Sequence, residues 1–359
     1  MSHFNSSRDA LVFSAGPAAL REIRADGFVA ERFATLAGAS GGAKWLVLSQ
    51  LDRVVVRNIL PRLQSPVHLV GTSIGAWRFA CYGQKDPLAA IDRFEEAYLS
   101  QTYSENPDRE EITTRTAEIL DHVLGEHGVS EILANPCTRI HIMTVRSRSL
   151  LATENRLGLA LGLMSVATMN MASRRVLGMF FDRVLFHDAR DLPPFHSLGG
   201  FPMYQVVLSE SNLRDVILAT GAIPLVLSGI RNIAGAPPGM YRDGGVIDYH
   251  LDFPHSAPDK LALYLHFYDY LKPGWFDKRL SWRQVNTENS DRTLLISPSP
   301  DFVARLPNGK IPDRTDFRNF SPAERERAWR GTVAACRELA DELQDVVENN
   351  RLAERVRPL

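Results

Sequence analysis

Three short β-rich runs, ending at Gly75, each lead through a turn into a helical pattern, and this order constrains the fold more than any other feature. Residues 11–13 precede Pro17–Asp26, a helix opened by proline in its first turn. Residues 32–37 precede a glycine cluster and an expected long helix over 44–60. Residues 67–70 precede Gly71-Thr72-Ser73-Ile74-Gly75 and a helix from Ala76. A chain that returns through a helix starts each strand at the same end of the sheet, so the strands run parallel. The expected fold is α/β, a mainly parallel sheet sandwiched by helices in three layers, forming one domain over residues 8–359. Composition agrees: 45% of the 359 residues are hydrophobic and 23% charged, the proportions of an ordinary globular chain.

Beyond residue 150 the pattern changes. Residues 157–173 carry no charge and include Ser165, Thr168 and Asn170. A spanning helix needs about 20 predominantly apolar residues. This run is a little short, leaving a cap helix, a lipid-interface element and a span as its readings. Residues 150–200 are expected to form a helical insertion near the site. Residues 213–219 read as a helix, and 261–267 and 294–297 as strands. Ser321-Pro322-Ala323-Glu324 is a capping box, and Trp329, Val333, Cys336, Ala340, Leu343 and Val347 recur at helical spacing. Residues 321–350 are therefore expected as one amphipathic closing helix.

Two pentapeptides fit G-x-S-x-G, the pattern of a serine on a sharp strand-to-helix turn. One is Gly38-Ala39-Ser40-Gly41-Gly42, the other Gly71-Thr72-Ser73-Ile74-Gly75. A nucleophile also needs N–H donors for the oxyanion, commonly from a glycine-rich loop. If Ser73 attacks, Gly41, Gly42 and Ala43 supply that loop. If Ser40 attacks, the upstream candidate is Ala15-Gly16-Pro17, where proline removes a donor. Ser73 is the favoured nucleophile, and Ser40 reads as a small polar residue in a tight turn. Asp243, in Arg242-Asp243-Gly244-Gly245, is a candidate base, although D-G pairs usually mark turns.

The ordered blocks Gly41-Gly42-Ala43-Lys44, Gly71-Thr72-Ser73-Ile74-Gly75 and Asp243-Gly244-Gly245 resemble those of patatin-like phospholipases. Residues 213–230 are similar to the block ahead of that family's D-G-G, so the resemblance covers roughly residues 10–255. It implies a Ser73–Asp243 dyad without a catalytic histidine and no cofactor. The implied activity is acyl-ester hydrolysis on a lipid, with phospholipid or lysophospholipid as first candidate. Lys44 is a candidate contact for a substrate phosphate. Two departures leave the substrate class open. Lys44-Trp45 stands where the family usually has Arg-Gly, and residues 246–250 replace an Asn-x-P stretch.

Rival readings remain at this point. His250, His255 and His266 follow Asp243, as a Ser–Asp–His order requires. A non-catalytic lipid-binding chain on the same fold is another. Residues 38–45 fall short of G-x-x-x-x-G-K-[ST], with alanine at the sixth position and tryptophan in place of the hydroxyl, so no nucleotide is expected. Asp248, His250 and Asp252 alternate, but alternation at a loop rim is a weak metal signal, and no metal is expected. Lys and Arg total 41 against 42 Asp and Glu, a net charge of −1 that offers nucleic acid no long-range attraction. Contact with a lipid surface would therefore be transient and hydrophobic. Three scattered cysteines suggest a reducing compartment. The polar first ten residues lack a signal-peptide core, so a cytoplasmic location, with peripheral membrane contact, is expected.

Overall fold

The computed structural model describes residues 9–63 and 66–359. The N-terminal segment read above, and the domain start at residue 8, lie outside them. Strands β1 (Leu11–Ala15), β2 (Phe33–Gly38), β3 (Val67–Thr72) and β4 (Thr138–Ser147) come first. They are followed by β5 (Phe181–His187), β6 (Met203–Val207), β7 (Ile230–Arg231) and β8 (Met240–Asp243). The last are β9 (Leu261–Leu265), β10 (Thr293–Pro298) and β11 (Val356–Pro358). All join one sheet, ordered β11-β1-β10-β9-β2-β3-β4-β5-β6, with β8 on β4 and β7 on β8.

The centre, β10-β9-β2-β3-β4, is parallel. Antiparallel pairs flank it, β1 on β10 and β5 on β4. Strands β9 and β10 are buried at every position. A strand buried on both faces needs cover on both, and helices supply it in a three-layer α/β fold.

Three expected elements differ from what the chain forms. The helix expected over 44–60 is broken into a 3₁₀ turn (Gly42–Val47), a short α-helix (Ser49–Val54), a π-turn (Val55–Ile59) and another 3₁₀ turn (Leu60–Arg62). Its valines at 54, 55 and 56 are stiff at χ1, and Pro61 cannot continue a helix. Residues 150–200 are helical only as far as Phe180. Phe181–His187 re-enters the sheet as β5, paired with β4 and β6. The closing helix is two helices, Pro322–Ala335 and Arg337–Glu348, broken at buried Cys336, where ψ is −3°. The capping box is present, with both reciprocal bonds.

The uncharged run folds as the helix Arg156–Ala172. Leu159, Leu163 and Val166 face inward, while Leu157 is 70% and Met164 63% exposed. Among the described residues no helix is long and apolar enough to cross a membrane.

Candidate active site

The register of the sheet assembles the site. Strands β2 and β3 are adjacent and parallel, and Gly38 pairs with Gly71. Both G-x-S-x-G loops therefore leave the sheet side by side at its carboxyl ends, where open α/β sheets take ligands. Strand β4 lies on the other side of β3, with Met143 opposite Thr72. Strand β8 returns antiparallel to β4 and places Asp243 opposite Thr144. Ser73 lies one residue beyond Thr72, and Thr144 one beyond Met143, so serine and aspartate converge. Ser73 Oγ donates to Asp243 Oδ2 at 2.7 Å.

The backbone of Ser73 has φ 53° and ψ −130°, a left-handed conformation that a residue with a side chain rarely adopts. Ile74–Tyr82 follows directly as a helix. The turn is locked by close approach. A Cβ on Gly71 would lie 2.5 Å from the Ala76 nitrogen, and one on Gly75 would lie 2.1 Å from the Gly38 oxygen. Thr220, on the helix Leu213–Gly221, clamps the turn. Its Oγ1 accepts from the Ser73 N–H at 2.8 Å and donates to the Met143 carbonyl at 2.6 Å. Beneath, Arg78 and Tyr82 hold buried Asp52, tying this helix to Ser49–Val54.

Asp243 is 6% exposed. Its Oδ1 accepts from the Gly245 N–H at 2.7 Å. Burial pushes its carboxyl up from 3.8 to about 6, partly opposed by the hydrogen bonds from Ser73 and Gly245. A carboxylate in that range is a better base than an ordinary one and remains ionised at neutral pH. A Cβ on Gly244 would lie 2.2 Å from the Met143 oxygen, so the D-G-G segment lies directly against β4.

On the neighbouring loop, the N–H groups of Gly41, Gly42 and Ala43 have no acceptor among the described residues. Gly42 sits at φ 56°, and a Cβ on Gly41 would strike the Phe267 ring at 2.5 Å. Both glycines are thus required, one by conformation and one by space. Gly41, Gly42, Lys44, Ser73 and Asp243 line one cleft of about 220 Å³. Lys44 is half-buried there, with its ammonium 5.6 Å from the centre of the Phe267 ring, and burial lowers its pKa. Preformed donors beside a hydrogen-bonded Ser–carboxylate pair are what acyl transfer needs.

The other candidates are engaged elsewhere. Ser40 lines the same cleft, but its Oγ reaches only Thr72 Oγ1, at 3.4 Å. Neither His250, His255 nor His266 hydrogen-bonds Ser73 or Asp243. His250 Nδ1 accepts from the Lys272 N–H, His255 bonds Leu251 and Thr293, and His266 Nδ1 accepts from the Tyr268 N–H. Burial lowers all three, His255 to about 4 and His266 to about 3, so they are neutral. Asp248 forms a buried bidentate pair with Arg183, and Asp252 bonds Asn286 and Asn289. The three residues 248, 250 and 252 therefore have separate partners. Cys81, Cys137 and Cys336 are free thiols.

The cleft also contains residues with no local sequence signal. Trp275, Lys278 and Arg314 line it and belong to no motif. Thr220 lay inside the 213–230 block, where a threonine ahead of G-A-x-P was the available clue.

No protein-family model matches the chain, and no curated protein matches its sequence. Among solved structures it is similar to the crystal structure of VipD from Legionella pneumophila. Identity is 13%, the alignment covers 95% of this chain and 72% of that chain, and the TM-score is 0.38. So loose a superposition carries no inference about chemistry.

Proposed function

We propose that this chain hydrolyses acyl esters of lipids, with Ser73 as nucleophile and Asp243 as general base. The observation that carries the reading is the 2.7 Å Ser73–Asp243 hydrogen bond in one cleft with Gly41 and Gly42, whose N–H groups have no acceptor among the described residues. The resemblance of the three ordered motifs to patatin-like phospholipases supports a phospholipid or lysophospholipid substrate.

In the first half-reaction Asp243 takes the hydroxyl proton as Ser73 Oγ bonds the ester carbonyl carbon. The carbonyl oxygen becomes an oxyanion held by the Gly41, Gly42 and Ala43 N–H groups, and the N-terminal end of the Ile74–Tyr82 helix favours the same charge. Collapse breaks the carbon–oxygen bond to the alcohol, which leaves with the proton from Asp243. Asp243 then deprotonates a water that attacks the acyl-enzyme, and the proton returns to Ser73 as the fatty acid departs.

The lipid-surface reading rests on the helix Arg156–Ala172. Its exposed Leu157, Leu161, Met164 and Met171 recur at helical spacing as one apolar stripe. This helix is joined to the cleft wall, because Asn170 Nδ2 donates to Asp277 Oδ1 at 2.8 Å, between Trp275 and Lys278.

The test is fatty-acid release from phospholipid and lysophospholipid by the wild-type protein and by Ser73→Ala, with sedimentation on neutral vesicles in parallel. Release lost in the variant supports the reading. Vesicle binding with no release from any ester by the wild type selects the non-catalytic lipid-binding alternative.

A further inference from the structure

The mechanism leaves three cations of the cleft unused. Lys44, Lys278 and Arg314 line it together with Ser73 and Asp243. None of the three has an ion-pair partner among the described residues. The acids nearby are already committed. Asp277, next to Lys278, is fully buried against Arg174 and Arg283. Asp313, next to Arg314, pairs with Lys310 at 3.2 Å and accepts from the Thr315 N–H and hydroxyl. Asp243 holds Ser73.

Like charges gathered at one cleft repel, and an anion bound among them would offset that repulsion. Desolvation lowers the Lys278 pKa most, Lys44 and Arg314 lower it further, and Asp243 opposes them. Lys278 and Arg314 are exposed at the rim, so they stay available to a ligand.

We propose that Lys44, Lys278 and Arg314 form a subsite for the phosphate of an anionic glycerolipid whose acyl ester lies at Ser73. This rests on the ester-hydrolase reading and narrows it to lipids with a negative headgroup. A zwitterionic headgroup also needs a place for its ammonium. Asp313 is occupied, and the Tyr249 face that could receive a cation already lies under Lys278 Nζ, 3.8 Å from its centre. A bare phosphate needs only cationic donors, and Lys44, Lys278 and Arg314 supply them.

The test uses non-hydrolysable ether analogues, so that binding is read apart from turnover. Calorimetry compares a short-chain alkyl glycerophosphate, the matching phosphocholine, the uncharged alkyl glycerol and inorganic phosphate. The alkyl glycerophosphate is expected to bind at least about tenfold more tightly than the other three. In Lys278→Met and in Arg314→Gln that preference shrinks to about threefold or less, and Lys278→Arg retains most of it. Thermal unfolding checks that each variant is folded, and rim-exposed Arg314 provides the safer of the two charge removals.

Equal binding of the three lipids, or a preference unchanged in both charge-removing variants, overturns the subsite. Inorganic phosphate binding as tightly as the alkyl glycerophosphate assigns the cations to free phosphate and overturns the lipid assignment. Preferential binding without hydrolysis of the matching acyl ester supports the subsite and removes the hydrolase reading. Hydrolysis with no charge preference does the reverse.

Discussion

The loops 38–42 and 71–75 share a pentapeptide pattern, leave adjacent parallel strands and begin from paired glycines. They nevertheless differ in every property that matters to a nucleophile. Ser73 is at φ 53°, flows straight into an α-helix and meets a carboxylate. Ser40 has no left-handed backbone, precedes a 3₁₀ turn and meets another hydroxyl. In that loop the left-handed residue is Gly42, which has no side chain to offer as a nucleophile. The lesson is that G-x-S-x-G specifies a tight turn, while the partner strand specifies what the turn does. Asp243 reaches Ser73 because β8 pairs with β4, which borders β3; Ser40 lies one strand farther away.

The largest expected effects attack the difference directly. Ser73→Ala and Asp243→Asn should each lower kcat/KM by at least about 10³-fold. The Asn variant should also be the more stable at pH 7. A carboxyl held at about 6 when folded and 3.8 when unfolded binds its proton more tightly in the folded state. Stability therefore falls as pH rises from about 4 to about 6, and removing the charge recovers up to about 3 kcal/mol. Thermal unfolding of both proteins across that range checks the sign.

Gly42→Val should lower kcat by about 10²-fold with Ser73 intact, because a β-branched residue at φ 56° twists the donors away. Thermal unfolding measured on the same sample separates lost donors from a lost fold. Below it lies the pH profile. The rate constant kcat/KM should rise through a single ionisation at about 6 and be about tenfold lower at pH 5 than on its plateau. The same rise through about 6 persisting in Asp243→Asn would assign it to another base and blur the contrast between the loops.

The smallest effect probes where the loops touch. A Cβ on Gly245 would lie 2.1 Å from Ser40 Oγ and 2.7 Å from Ser40 Cβ. Gly245→Ala should lower stability by about 1–3 kcal/mol, and adding Ser40→Gly should restore part of it. No restoration would mean that Ser40 is not what fills that space.

Much of this was legible in the sequence. Strand–turn–helix order and the glycine spacing around Ser73 predicted the parallel centre and the tight turn. Asp243 was visible as D-G-G, but its approach to Ser73 depends on the β4–β8 register, which no local pattern encodes. The break at Cys336 was invisible because both closing helices keep one apolar periodicity across it. Strand β5 was hidden by the uncharged run before it, although FDRVLFH is itself rich in strand formers. Arg314 lies in a stretch rich in proline, aspartate and arginine that carries no motif, and only the folded path of residues 298–320 brings it to the cleft.

The most direct test of the central contrast is a serine-directed fluorophosphonate, which bonds only an activated hydroxyl beside preformed oxyanion donors. The native protein should take one label, on the peptide containing residues 71–75. Ser73→Ala should take none, and Ser40→Ala should label within about tenfold of the native rate. A label on Ser40, or none on the folded native protein, would contradict the assignment of Ser73 as nucleophile.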